Sequence, residues 1–146
     1  MTYERAKAIL DTARANAKSI RIYKEKIEKC KAKLEAHQKL TAAYGTEHVS
    51  GGKAHNIIED AVIKAEQDKV FYQQKLEPLL VVKDRADIII HAMPKKWWKV
   101  ARMYYLKGYE IWDICKRKHW TSKTSVYKQI YALDAYMRQY FKDSQE

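Results

Sequence analysis

The residues best suited to chemistry lie near position 125, where hydroxyl, phenol and ammonium side chains are grouped on one short stretch. Their spacing places them on the outward side of the first turns of a single helix. Hydroxyl and ammonium groups on such a surface can hydrogen-bond to base edges in the major groove of DNA. The candidate base contacts are Ser122, Lys123, Thr124, Tyr127 and Lys128.

A second set of cations flanks this stretch and suits the phosphate backbone. Lys and Arg neutralise phosphates, and such contacts fix the register of a protein on a duplex without reading its sequence. The run Lys116–Lys118 is a candidate phosphate site only because it lies beside the predicted helix that carries the candidate base contacts. The candidate phosphate contacts are Lys95, Lys96, Lys99, Arg102, Lys116, Arg117 and Lys118.

The sequence contains no pattern typical of an enzyme. No Gly-rich phosphate loop, Ser/His/Asp arrangement or poised pair of carboxylates is visible. The cysteines and histidines lack the close spacing of zinc ligands, and Cys30 and Cys115 lie too far apart in sequence for a redox motif. We therefore expect no catalytic residue, no metal and no cofactor.

Three short helices must position the basic residues, and each shows an apolar helical period. Ser122 stands where a serine can cap the amides of the third helix, with Thr121 as the alternative cap. His119 and Trp120 belong to the turn before it. The apolar positions are Trp97, Val100, Ala101 and Tyr104; Ile111, Ile114 and Cys115; and Val126, Ile130, Leu133 and Met137. This order predicts a helix-turn-helix, with the four tryptophans supplying area for a small core.

The spacing of apolar residues in the first half of the chain predicts two long helices. A near-heptad seam with one change of phase near Ile20 is formed by Ala6, Leu10, Ala13, Ala17, Ile20, Tyr23, Ile27, Cys30 and Leu34. A second helix is expected over about 54–93, kinked or broken at Pro78. Its predicted apolar face comprises Ile57, Ile58, Ala61, Ala65, Val70, Phe71 and Leu76. Glycines mark a linker at 45–53.

Composition supports an all-α fold, because only four glycines and two prolines punctuate 146 residues. The formal net charge is +11, and residues 94–146 hold twelve Lys and Arg against five Asp and Glu. We predict a helical hairpin or coiled-coil arm over 1–93, followed by a trihelical helix-turn-helix domain over 94–146. Isolated cysteines and the lack of a long apolar run favour a cytoplasmic protein without membrane contact.

Residues 98–133 resemble region four of bacterial sigma factors, and resemble still more the C-terminal part of phage late-gene activators of the RinA/ArpU type. The resemblance rests on Tyr104-Tyr105-Leu106-Lys107-Gly108, Ile114-Cys115, Ser122, Val126-Tyr127-Lys128 and Ala132-Leu133. In this chain Thr124-Ser125 stands where the family has Arg-Thr, and the segment before Val126 is one residue longer. The resemblance implies a promoter-binding regulator in a bacterial host cytoplasm, with RNA polymerase as a candidate partner.

The resulting hypothesis is a sequence-specific transcriptional regulator that binds double-stranded DNA as a homo-oligomer. Two alternatives remain open at this point. One is a phage packaging protein similar to a small terminase subunit, which also combines helical arms with helix-turn-helix units. The other is a basic helical module that binds an acidic protein partner.

Overall fold

The computed structural model describes residues 1–44, 52–120 and 122–143, which are almost entirely helical. Two long helices, α1 (Tyr3–Tyr44) and α2 (Gly52–Ala92), come first. A 3-10 turn (Lys95–Trp97), α3 (Trp98–Ala101) and a π-helical turn (Arg102–Leu106) follow without interruption. The last helices are α4 (Ile111–Arg117) and α5 (Lys123–Asp143). The predicted all-α fold, with a long helical arm followed by a helical domain, is confirmed.

The chain forms two compact units, whose boundaries cross both long helices. The first unit consists of Met1–Lys18 together with Leu79–Glu146, and the second consists of Ser19–Pro78. The sequence interpretation placed a boundary at residue 94, whereas the compact unit that contains residues 94–143 also contains the beginning of α1 and the end of α2. Both boundaries lie close to irregularities of the sequence, the change of seam phase near Ile20 and the proline at position 78.

In the second unit, the predicted seam of α1 is buried as expected, at Ile20, Ile27 and Cys30. The ring centroids of Tyr23 and Tyr72 lie 6.1 Å apart, which places the middle of this stretch of α1 beside α2. The glycine-containing linker predicted at 45–53 falls mostly outside the described residues, and α2 already begins at Gly52.

The apolar face predicted for α2 was wrong, because most of its large residues are not on the buried side of the helix. Ala65 and Leu76 are buried, but the large residues around them, Ile57, Ile58, Val70 and Phe71, are exposed. The buried face of α2 continues instead at Ala86, Ile89 and Ile90, which were not part of the predicted apolar face. α2 continues through Pro78, so of the predicted kink or break at this residue the break does not occur.

The first unit contains two hydrophobic clusters rather than one core. The larger cluster joins the first turns of α1 to the end of α2 and to α5; its members include Leu10, Ile90, Trp97, Tyr105, Leu133 and Met137. The smaller cluster holds α3, α4 and α5 together; its members are Val100, Met103, Ile114, Cys115, Val126 and Ile130. Trp97 is buried in the larger cluster, and the partly buried Trp98 and Trp120 pack against the larger and the smaller cluster. Three of the four tryptophans thus supply apolar area to the core as predicted, whereas Trp112 is 48% exposed.

The π-helical turn is the junction between the trihelical segment and α1. The amide of Lys107 donates to the carbonyl of Arg102 at 3.0 Å, five residues back instead of four. Carbonyls at a helix end lack partners within the helix. Arg14 supplies a donor here, because its Nη1 donates to the carbonyl of Tyr104 at 2.6 Å. The same Nη1 donates at 2.9 Å to the carbonyl of Tyr109, in the loop that follows. Its guanidinium carbon also lies 3.9 Å from the centroid of the Tyr104 ring.

Gly108 closes this junction against α1. Its φ of +67° lies in the left-handed region, which costs a residue with a Cβ roughly 1–2 kcal/mol. A Cβ added there would lie 2.8 Å from the Cβ of Ala17, and neither atom belongs to a side chain that can rotate away. Glycine is therefore required both by the backbone and by the close approach of α1.

A polar cluster ties the first turns of α1 to α5. The Tyr3 hydroxyl donates to Asp134, and Nε of Arg138 donates to the same carboxylate at 3.1 Å. Lys7 donates to the Tyr105 hydroxyl at 2.9 Å and lies 4.0 Å from Asp134. Partial burial alone would raise the pKa of Asp134, but the hydrogen bonds from Tyr3 and Arg138, with the charge of Lys7, hold this pKa below its ordinary value.

We predict that Gly108→Ala lowers the free energy of unfolding by about 2–4 kcal/mol, from left-handed strain plus overpacking. Urea unfolding followed by circular dichroism measures the change. The double variant Gly108→Ala/Ala17→Gly removes the Cβ–Cβ clash but keeps the strain, and should recover part of the loss. An unchanged unfolding midpoint for Gly108→Ala would contradict this packing.

We also predict that Asp134 gives the unfolding free energy a dependence on acid pH. Because the folded pKa is lowered, the stabilisation is complete above the unfolded value of about 3.9 and is lost as pH falls through the folded pKa. Asp134→Asn should therefore destabilise the protein at pH 7 by about 1 kcal/mol and flatten the stability curve below pH ~4. Equal acid slopes in both proteins would show that the carboxylate has no such role.

Candidate nucleic-acid interface

The turn between α4 and α5 is a helix C-cap built around His119. The amide of Trp120 donates to the carbonyl of Cys115 at 3.0 Å, and that of His119 donates to the carbonyl of Lys116 at 3.2 Å. This pair of bonds is the Schellman motif, which needs a left-handed residue at its centre. His119 provides it with φ +55°, although glycine is the usual residue there. The Sγ of Cys115 also contacts the Trp120 carbonyl at 2.9 Å, which fixes the turn against the smaller cluster.

The predicted cap of α5 is confirmed. Ser122 Oγ accepts a hydrogen bond from the amide of Thr124 at 3.1 Å, directly before the helix that begins at Lys123. The alternative cap, Thr121, lies outside the described residues. The first turn of α5 contains no acidic residue, so the positive end of the helix dipole is not neutralised there. A phosphate near this end would meet both the dipole and the local cations.

All five candidate base contacts lie on the surface. Ser122, Lys123, Thr124, Tyr127 and Lys128 are exposed, while Val126 and Ile130 on the opposite side of α5 are buried. Tyr127 and Tyr131 are 43% and 68% exposed, and their rings stack at a centroid distance of 6.1 Å. Neither ring packs in the core. The first turns of α5 therefore present a continuous surface of hydroxyl, phenol and ammonium groups.

Trp112 brings the two predicted sets of contacts together. Nζ of Lys116, at the end of α4, lies 5.5 Å from the indole ring, and Nζ of Lys123, at the start of α5, lies 5.4 Å from it. The ring is 48% exposed, so both cations are held at the surface rather than drawn into the core. A cation over an aromatic face gains roughly 0.5–1 kcal/mol at such an exposed site.

The remaining phosphate candidates separate into two groups. Lys96 and Lys118 each lie over a tryptophan ring, Trp97 at 4.6 Å and Trp120 at 5.4 Å. The other four candidates line a single cleft, together with a cation that the sequence analysis did not select, Lys107. These four are Lys95, Lys99, Arg102 and Arg117.

Sequence reasoning missed the aromatic residues that position these cations. Trp112 and Tyr109 were assigned to the general aromatic content of the domain, although each lies under two basic side chains. The signal was present for Trp112, because Lys116 stands four residues after it on the same helix. No local pattern could have selected Arg14, whose partners lie about ninety residues further along the chain.

No described helix is long and apolar enough to cross a membrane. Across residues 1–44, 52–120 and 122–143, no three His, Cys, Asp or Glu side chains converge as a metal site would require. Comparison with known proteins finds no family model, no curated protein and no solved structure that matches this chain.

We predict that His119→Gly raises the free energy of unfolding by about 1 kcal/mol, because glycine adopts the left-handed C-cap conformation without strain. Lys118→Gly is the matched control, since Lys118 has φ −89° and glycine there should be neutral or destabilising. Thermal unfolding of the two variants and the parent protein measures both effects. A lower midpoint for His119→Gly would contradict the assigned turn.

Proposed function

We propose that the chain is a DNA-binding transcriptional regulator in which α5 enters the major groove. Its exposed first turns carry Lys123, Thr124, Tyr127 and Lys128 toward base edges. Ser122, which caps the helix, lies at the same end and can bond to a base or a phosphate. With Thr and Tyr donors and no outward Arg, Asn or Gln in this turn, direct base readout is modest, so DNA shape or a partner protein supplies part of the specificity.

The observation that carries this proposal is the meeting of Lys116 and Lys123 over Trp112. It joins the end of α4 and the start of α5 into one basic surface at the helix end where phosphates are favoured. A short first helix, a fixed turn and a longer second helix with its N-terminal residues exposed are the parts that groove recognition requires.

The more specific assignment depends on the resemblance described above. We propose that the protein regulates late genes of a phage or prophage, binds as a homo-oligomer and has RNA polymerase as a candidate partner. Nothing in the geometry specifically favours DNA packaging or an acidic protein partner. Those two alternatives remain hypotheses that the following experiment also tests.

We predict that the full chain selects discrete sequences from a random duplex pool and shifts them electrophoretically in the presence of competitor DNA. Lys123→Ala/Lys128→Ala should abolish the specific shift, because it removes two of the candidate base contacts at the start of α5. The matched control is Lys29→Ala/Lys33→Ala, which removes equal charge from exposed positions on α1. This control should retain the shift.

Two outcomes would contradict the proposal. The first is no enriched sequence and no shift at 50 mM salt for a protein that circular dichroism shows to be folded. The second is equal loss of binding in both double variants, which would mean that net charge alone attracts the DNA. A closed ring that selects one packaging sequence would instead favour the terminase-like alternative.

A further inference from the structure

A cleft of about 710 Å³ lies within the first unit, apart from the exposed face of α5 that carries the candidate base contacts. It is lined by residues of the helical segment 95–106, the loop that follows it, and the end of α4 with its turn. No carboxylate belongs to the lining, although five Lys and Arg side chains do. The lining residues are Lys95, Trp98, Lys99, Arg102, Met103, Lys107, Tyr109, Arg117 and His119.

One wall of the cleft is held in place by hydrogen bonds and ion pairs. The indole N–H of Trp98 donates to the Met93 carbonyl at 2.7 Å, and its ring lies 4.7 Å from that of His91. Arg102 contacts His91 and lies 3.5 Å from the carboxylate of Asp87. Both side chains are therefore oriented, before any ligand arrives, by residues at the end of α2 and by Met93 directly after it.

Tyr109 forms a second aromatic surface. The guanidinium carbon of Arg117 lies 4.3 Å from its ring centroid, and Nζ of Lys107 lies 5.8 Å from it. Met103, which is buried, adds a polarizable apolar side chain to the lining. The cleft thus combines flat apolar surfaces with a surplus of positive charge.

This combination defines the ligand chemistry. Asp87 offsets the charge of Arg102, but the other four lining cations have no acidic partner on the lining. Concentrated positive charge in a concave site attracts an anion. The volume falls within the range of 300–1,000 Å³ typical of sites for organic ligands, well above what a single phosphate ion fills. Aromatic rings beside cations suit a ligand with a flat ring attached to phosphate.

We propose that the cleft binds a nucleotide, with the phosphates on Lys95, Lys99 and Lys107 and the base against Trp98 or Tyr109. The nucleotide is either free in solution or a unit of a nucleic-acid strand. In the second case the cleft would extend the DNA contacts of the proposed function beyond α5. The proposal does not require duplex recognition by α5, so the two can fail separately.

Isothermal titration calorimetry of the full chain at low salt, with ADP, adenosine and inorganic pyrophosphate, tests the proposal. We expect ADP to bind at least tenfold more tightly than either fragment, because only ADP engages both the cations and the rings. A single-stranded deoxyoligonucleotide titrated in parallel identifies the source. Weaker binding of the oligonucleotide to Lys99→Ala indicates that a strand occupies the cleft, and oligonucleotide binding that this substitution leaves unchanged indicates a free nucleotide.

Two variants assign the contacts. Lys99→Ala should weaken both ADP and pyrophosphate about tenfold, as expected for the loss of one charge-assisted contact. Tyr109→Leu or Trp98→Leu should weaken ADP and leave pyrophosphate unchanged, a split that unfolding would not produce. The exposed Lys29→Ala is the matched control and should leave ADP binding intact.

Pyrophosphate binding as tightly as ADP would overturn the proposal and reduce the cleft to a general anion site. Adenosine binding as tightly as ADP, or no heat from ADP at millimolar concentration, would also overturn it. The titration with ADP contains no duplex, so each of these results leaves the DNA-binding proposal to its own experiment.

Discussion

The trihelical segment depends on the contact between the first turns of α1 and residues 104–110. Arg14 satisfies carbonyls that the helix end leaves without donors, and Gly108 permits an approach to Ala17 that no other residue could make. This contact explains why the compact unit extends beyond residues 94–143, since its larger hydrophobic cluster includes Leu10 of α1 and Ile90 of α2. The long helices therefore contribute to the core against which α5 packs.

A second organising feature is the placement of cations on aromatic rings. Lys116 and Lys123 lie over Trp112, and Arg117 lies over Tyr109. Such contacts reduce the rotamer freedom of long side chains, so less entropy remains to be lost when a phosphate binds. The exposed Trp112 thus orients cations of the charged surface, whereas the sequence had suggested that it belongs to the core.

Periodicity predicted the elements well and their partners poorly. The seam from Ala6 to Cys30, the inner face of α5 and the Ser122 cap were correct because each depends on spacing within one helix. The predicted buried face of α2 was wrong because large apolar residues occur on more than one side of this helix, so spacing alone did not identify the buried side. The role of Arg14, the cleft and the grouping around Trp112 depend on residues that are distant in sequence or on cation–π contacts, which a hydrophobic pattern does not report.

We propose that the start of α5 and the end of α4 form the DNA-binding surface. Amide chemical-shift mapping with a short duplex, on isotopically labelled protein, measures which residues the DNA contacts. If this surface binds the duplex, the largest changes lie within residues 111–131, with strong shifts of the Trp112 indole N–H and the amides of Lys123 and Thr124. Changes confined to residues 19–44 and 52–78, or none at low salt, would contradict it.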